Sequence, residues 1–357
     1  MNKLFIVLFI TISFSSSAQT VFSNAFTAEL PGPLLAVNGQ LYVGTIFNGA
    51  LYKVDINNPN VPILVAEGFI ADGPWKLGYD PLNNNIYVRS LSLPSFSKID
   101  LDLNLPITVE QIEIPGAQYN GFTINDNLIY LTDGDNIYTY DITVGVNSYQ
   151  LFYTDTGFQI RNPRIHNNEL YYFTGNAPNS NAYKINLSDP NLSKVLVSSN
   201  LPGIVQSSLV VGNYIYLGVE ASNKLIKLDL TSSLPIEHEV VLENPDGPLI
   251  GLANLGNTFF ASEFNTRNII TFKDQALTID DLNLSSTRLY PNPVEELLYI
   301  KHENSIASNY SIYSINGAKI KEGIYVGEID VSNLTSGLYF IHLEQNGVSQ
   351  IEKFVKK

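Results

Sequence analysis

One phrase that returns six times constrains this chain more than any other feature. Each instance holds a turn with Asn or Gly, a short apolar-aromatic strand, a polar loop, and a second strand ending on a polar residue. The instances span residues 39–55, 85–100, 127–141, 169–186, 214–229 and 258–274. Their anchor aromatics, Tyr42, Tyr87, Tyr130, Tyr171, Tyr216 and Phe260, lie 41 to 45 residues apart. Their closing residues, Asp55, Asp100, Asp141, Asn186, Asp229 and Asp274, keep the same interval. Unrelated strands would drift, so two landmarks with one period mark a structural repeat.

A period of 40–45 residues is the length of a four-stranded propeller blade. The first repeat offers four strands at 33–37, 41–45, 51–55 and 61–67. Alternation in Leu51-Tyr-Lys-Val-Asp and Leu225-Ile-Lys-Leu-Asp fits strands with one face in a core. No stretch keeps a 3.6-residue period over three turns, and 21 Tyr and 18 Phe favour strands. The expected fold is all-β, a six-bladed β-propeller over residues 19–274. Fourth strands are expected at 61–67, 107–114, 148–153, 194–198 and 237–242. The sixth repeat lacks one, and Thr20-Val-Phe-Ser-Asn-Ala-Phe holds a spare strand. Residues 19–28 are therefore expected to complete the sixth blade, leaving no blade unpaired.

Ahead of that strand, Lys3 precedes an apolar run at 4–12 and a small, polar stretch ending Ser16-x-Ala18. This reads as a secretory signal peptide over residues 1–18; nine apolar residues fall well short of the ~20 that span a bilayer. No other segment is long enough to span. The chain has no cysteine, which removes disulfides, thiolate nucleophiles, Cys metal sites and lipid attachment to cysteine. The net charge is −14, with 12 basic and 26 acidic residues over 19–282. With no basic patch, nucleic acid and anionic membrane surfaces are unsuited as partners.

The phrases G-P-L-L-A-V-N-G-Q-L-Y-V (32–43) and D-G-P-W-K-L-G-Y-D (72–80) resemble those of NHL-repeat and gluconolactonase-like six-bladed propellers. That resemblance implies a ligand site at one end of a central channel. Loops entering the innermost strands would bring Asp72, Trp75, Tyr119, Asn120, Arg161, Arg164, Gln206 and Asp246 to its mouth. Loops between second and third strands would add Arg89, Asp133, Asp135, Asn176, Glu220, Glu263 and Arg267. A lactonase-like enzyme would hold Ca²⁺ or another divalent ion there with carboxylate and amide oxygens. Glu29, Asn120, Asn162 and Asp246 are the residue types for it. Asp72-Gly-Pro-Trp75 is similar to the lactonase E-G-P-x-W phrase, with Asp in place of Glu. Asp133-Gly-Asp135-Asn136 reads as a tight hairpin turn rather than a calcium loop. The four histidines have no ligand spacing, and no G-x-S-x-G, P-loop or H-E-x-x-H motif occurs.

After a polar linker at 275–287 the pattern changes. Short strands at 297–301, 310–315, 318–321, up to 344, and 348–355 are punctuated by Asn316-Gly317 and Asn346-Gly347. They predict a small Ig-like β-sandwich. Tyr290-Pro291-Asn292-Pro293, the phrase from Asp330 through Gly337 to Tyr339, and the basic end with Lys353, Lys356 and Lys357 resemble a type A sorting domain of the Bacteroidetes type IX secretion system. The resemblance covers 288–357 and implies the outer-membrane translocon and sorting machinery as partners. The expected protein is an exported cargo, secreted or held at the cell surface, with an extracellular binding scaffold that requires no cofactor. Its ligand would be a protein, a glycan or a small molecule. The alternatives are a metal-dependent lactonase-like hydrolase and a surface-layer or adhesin component.

Overall fold

A computed structural model describes residues 19–47, 49–69, 73–90, 95–115, 119–176, 179–243, 246–274, 288–301, 309–314, 318–325, 327–345 and 348–357. The expected signal peptide and linker lie outside these residues. Among the described residues the chain is all-β apart from one 3₁₀ turn at Val146–Ser148.

The described residues of 20–274 form six sheets, antiparallel but for one short parallel pair, in which the chain meanders strand by strand. Their leading strands are Pro31–Val37, Pro74–Asp80, Tyr119–Asn125, Ile160–His166, Val205–Val211 and Leu249–Leu255. Each leading strand contacts that of the next sheet, and the sixth contacts the first, so the sheets follow one another in a closed cycle. Side-chain burial follows the same cycle. Leu51, Val65, Ile86 and Ile99 share a core between the first and second sheets. Comparable cores join second to third, third to fourth, fourth to fifth, fifth to sixth, and sixth to first. All six anchor aromatics lie within these cores. The repeat is therefore the spacing at which the chain refills the same layer.

The N-terminal segment closes the cycle. Thr20–Ser23 adds to the outer edge of the sixth sheet, with Thr20 opposite Thr271, Val21 opposite Ile270 and Ser23 opposite Ile269. Phe22 meets Phe260 edge to face at 4.9 Å. The Ser23 hydroxyl, almost fully buried, donates to the Pro59 carbonyl at 2.8 Å. Phe26 sits in the core between the sixth and first sheets. On the inner side, a Cβ added to Gly251 would lie 2.3 Å from the Gly32 carbonyl oxygen, so this strand approach admits only glycine.

The closing Asp or Asn of the repeat has a local cause. Asp55, Asp100, Asp141, Asn186 and Asp229 each accept, through Oδ1, the backbone N–H two residues on, at 2.8–3.0 Å. These Asx turns end the third strand and swing the chain toward the fourth. Asp274 departs from the pattern. It accepts from the Tyr216 hydroxyl at 2.7 Å and from Lys227 Nζ at 2.8 Å, tying the sixth sheet to the fifth.

One expected strand is divided. Within 107–114, Ile107–Thr108 pairs in parallel with Ile63–Glu67 of the first sheet, and only Glu110–Glu113 completes the second. Ile107 is drawn back because its side chain fills the core between those two sheets. The Asp133–Asn136 turn forms as expected. Asp133 and Asn136 face each other across it, and Gly134 takes the positive φ of 61° that it requires.

The C-terminal segment builds two sheets. One holds Arg288–Tyr290, Leu297–Lys301 and Ile329–Asp330; the other holds Lys319–Ile324, Asn309–Ser314, Gly337–Gln345 and Val348–Lys356. Val294, Leu298, Ile312, Ile341 and Phe354 form a core shared by both.

Candidate functional site

Small polar side chains hold the inner strands together. Ser207 Oγ donates to the Leu249 carbonyl at 2.8 Å, Ser262 Oγ to the Gly32 carbonyl, and Asn162 Nδ2 to the Val205 carbonyl at 2.6 Å. Each bond crosses from one sheet to the next.

The same inner strands carry a concentration of positive charge in an otherwise acidic ring. Lys76, on the leading strand of the second sheet, donates through Nζ to the Gln206 carbonyl on the fifth sheet at 2.5 Å. Second and fifth are opposite positions in a cycle of six, so the lysine reaches across the centre. Arg164 of the fourth sheet donates through Nε and Nη2 to the Ser208 carbonyl at 3.0 and 2.7 Å. It also reaches the Pro163 and Phe122 carbonyls through Nη1 at 2.8 and 3.4 Å. Arg89 is buried directly opposite Lys76 on the neighbouring strand. Arg161 donates through Nη2 to Gln159 at 2.5 Å, and its buried Nε makes no hydrogen bond.

These cations perturb one another. Burial, and after it the charges of Arg164, Arg89 and Arg161, pull the Lys76 ammonium down to about 7. Burial also lowers Arg164, to about 10, and Arg161, the latter opposed by the Glu220 carboxylate. Glu220 accepts from the Gln206 side-chain amide. Lys76 and Arg164 are part-buried rather than fully enclosed.

The structure thus brings together Arg161, Arg164 and Gln206 from the expected mouth residues, with Arg89 and Glu220. It adds Lys76, which sequence reasoning passed over. The signal was present: a lysine interrupts the apolar inner strand of the second repeat. Trp75 instead packs on Leu30, Ile46 and Ile250, with Lys76 Nζ 5.8 Å from its ring centre. Tyr119 and Asn120 lie at an irregularity where the third sheet begins, and Asp246 is exposed. Asp72 lies outside the described residues.

Two of the expected metal quartet have partners within the fold. Asn162 is buried, with its amide committed to Val205. Glu29 accepts the Tyr52 hydroxyl at 3.4 Å, while its Oε2 is buried without a hydrogen bond. Among the described residues, no group of three or more His, Cys, Asp or Glu is arranged to hold a metal ion.

In the tail, motifs far apart in sequence meet. Asn292 accepts the Val355 N–H through Oδ1 at 2.9 Å and donates through Nδ2 to the Lys353 carbonyl at 3.2 Å. Val294 and Lys357 continue the pairing with backbone bonds of 2.8 and 2.9 Å. Lys356 lies opposite Gly337. Tyr339 stacks on Phe354 and donates to the Thr335 carbonyl at 2.9 Å. Asp330 holds an Asx turn onto Ser332, and Tyr290, half exposed, stacks on Tyr299. Tyr290-Pro291-Asn292-Pro293 and the basic end are thus one surface.

Together these features define an all-β protein that couples a cycle of antiparallel sheets to a small two-sheet tail. Residues 288–357 match the family described as the secretion system C-terminal sorting domain. That match marks the chain as cargo sorted by type IX secretion and implies contact with its machinery and export to the cell surface or beyond. The ring is similar in fold to a gluconolactonase from Xanthomonas campestris, at 9% identity and TM-score 0.56, over 72% of this chain and 90% of that one. A chain of a nidogen/laminin complex is similar over 63% of this chain and 84% of its own, at 14% identity and TM-score 0.52. At these identities the likeness is one of fold. No curated sequence matches the chain. Among the described residues, no helix is long and apolar enough to cross a membrane.

Proposed function

We propose that the chain is an exported cargo in three parts: a signal peptide at 1–18, a six-bladed NHL-like β-propeller at 19–274, and an Ig-like sorting domain at 288–357. The propeller serves as an extracellular or cell-surface binding scaffold, and the tail delivers it. The observation that carries this reading is the joining of a sorting tail to a ring whose centre gathers charged side chains from three separate sheets. The cycle of six cores and the N-terminal strand on the sixth sheet support the propeller assignment.

The delivery half is tested in a type IX-competent host by comparing the full chain with one ending at residue 287. The full chain is expected on the surface or in the medium, and the shortened chain in the periplasm. Surface display of the shortened chain would contradict the assignment. The scaffold half is tested by assaying lactones with and without chelator. Turnover that the chelator abolishes would replace the scaffold with a hydrolase.

A further inference from the structure

We propose that the centre of the ring is an anion site, in which Lys76, Arg89, Arg161 and Arg164 receive an oxyanionic group such as a phosphate or sulfate. The inference rests on reading the ring as a binding scaffold and names the chemistry of its ligand.

Three observations support it. The first is like charge held close: Lys76 feels the charges of Arg164, Arg89 and Arg161, and the Glu220 carboxylate acts on Arg161. The ring around them is strongly acidic, so this is a local inversion rather than overflow from a basic surface. Buried like charges are costly unless a counter-charge accompanies them. The second is donor geometry. Lys76 and Arg164 anchor two residues apart on one strand, at the Gln206 and Ser208 carbonyls. Neutral carbonyls fix those side chains without cancelling their charge. The third is spare capacity. Arg161 Nε is buried and makes no hydrogen bond, a guanidinium donor left over for a ligand.

A guanidinium presents a planar fork that matches a tetrahedral oxyanion, and a lysine adds a point charge. The acidic exterior disfavours a polyanion such as nucleic acid.

The test is calorimetric titration of the mature full-length chain with inorganic phosphate, sulfate, glucose 6-phosphate and glucose. The charged ligands should bind and glucose should not. Arg161→Gln should weaken phosphate binding about tenfold, the loss expected for one charge-assisted hydrogen bond. Glu220→Gln removes the competing carboxylate and should tighten binding severalfold. This opposite sign keeps the test decisive if Arg161→Gln, checked by circular dichroism, fails to fold. Tighter binding of glucose 6-phosphate than of phosphate assigns the site to a larger ligand, and the reverse to the free ion. Absence of binding, or equal binding by wild type and both variants, would overturn the proposal. That failure is separable from failure of the scaffold reading, which is scored by lactone turnover and by export.

Discussion

At the residue scale, polar side chains in this ring are held in place by the partners they bridge. Lys227 and Asp274 are 3% and 7% exposed and lie 2.8 Å apart across the fifth and sixth sheets. Lys227→Met takes the ammonium from a buried carboxylate that also accepts the Tyr216 hydroxyl, at a cost of about 3–5 kcal/mol. Urea unfolding measures it; a loss below about 1 kcal/mol would show that the pair is not a fastening. Lys76 gives a pH signature. Its ammonium titrates at 10.5 when unperturbed and at about 7 in the fold, facing Arg164, Arg89 and Arg161. Between those values the unfolded chain binds the extra proton, so stability rises with pH across that window. Below about 7 both states are protonated and the penalty is complete. Lys76→Met should therefore be more stable than wild type near neutral pH, with the difference vanishing toward pH 10. A pH-independent difference would rule out this titration.

At the element scale, strands and turns were legible in the sequence because each has a local cause. The Asx turns that follow Asp55 through Asp229 need only one side chain and the backbone two residues on. The β-period needs only alternation. The split of 107–114 was not legible, since Ile107 answers to a core built by residues such as Val65 and Ile99. The central site was half legible. Arg161, Arg164 and Gln206, expected in loops, lie on the leading strands of the fourth and fifth sheets. The convergence of Lys76 on Gln206, 130 residues away, depends on which sheets stand opposite, and spacing along the chain does not encode that. The partners of Asn162 and Glu29 in the metal quartet, the Val205 carbonyl and the Tyr52 hydroxyl, were not legible for the same reason. In the tail, Asn292 is predicted to matter more than its exposed neighbours. Asn292→Ala should cost the sorting domain about 1 kcal/mol and reduce surface delivery. Unchanged thermal unfolding and unchanged export would contradict that role.

At the scale of the whole molecule, the ring has no disulfide to hold it and relies on closure. Its six cores are equivalent layers, and the last depends on a strand from the other end of the chain. Removing residues 20–23 would expose the edge of Ile269–Phe272, an invitation to association. The shortened protein should melt at lower temperature and elute as larger species in size-exclusion chromatography; an unaltered profile would make the strand dispensable. The most direct test uses the absence of native cysteine. Thr20 and Thr271 pair across the seam, their hydroxyls 2.9 Å apart. In the double variant Thr20→Cys/Thr271→Cys, oxidation should join the two ends in nearly every molecule. It should shift mobility on a non-reducing gel and stabilise the fold by about 5 kcal/mol through the long loop it closes. Two thiols that stay free in the folded protein under oxidising conditions would contradict the closed ring.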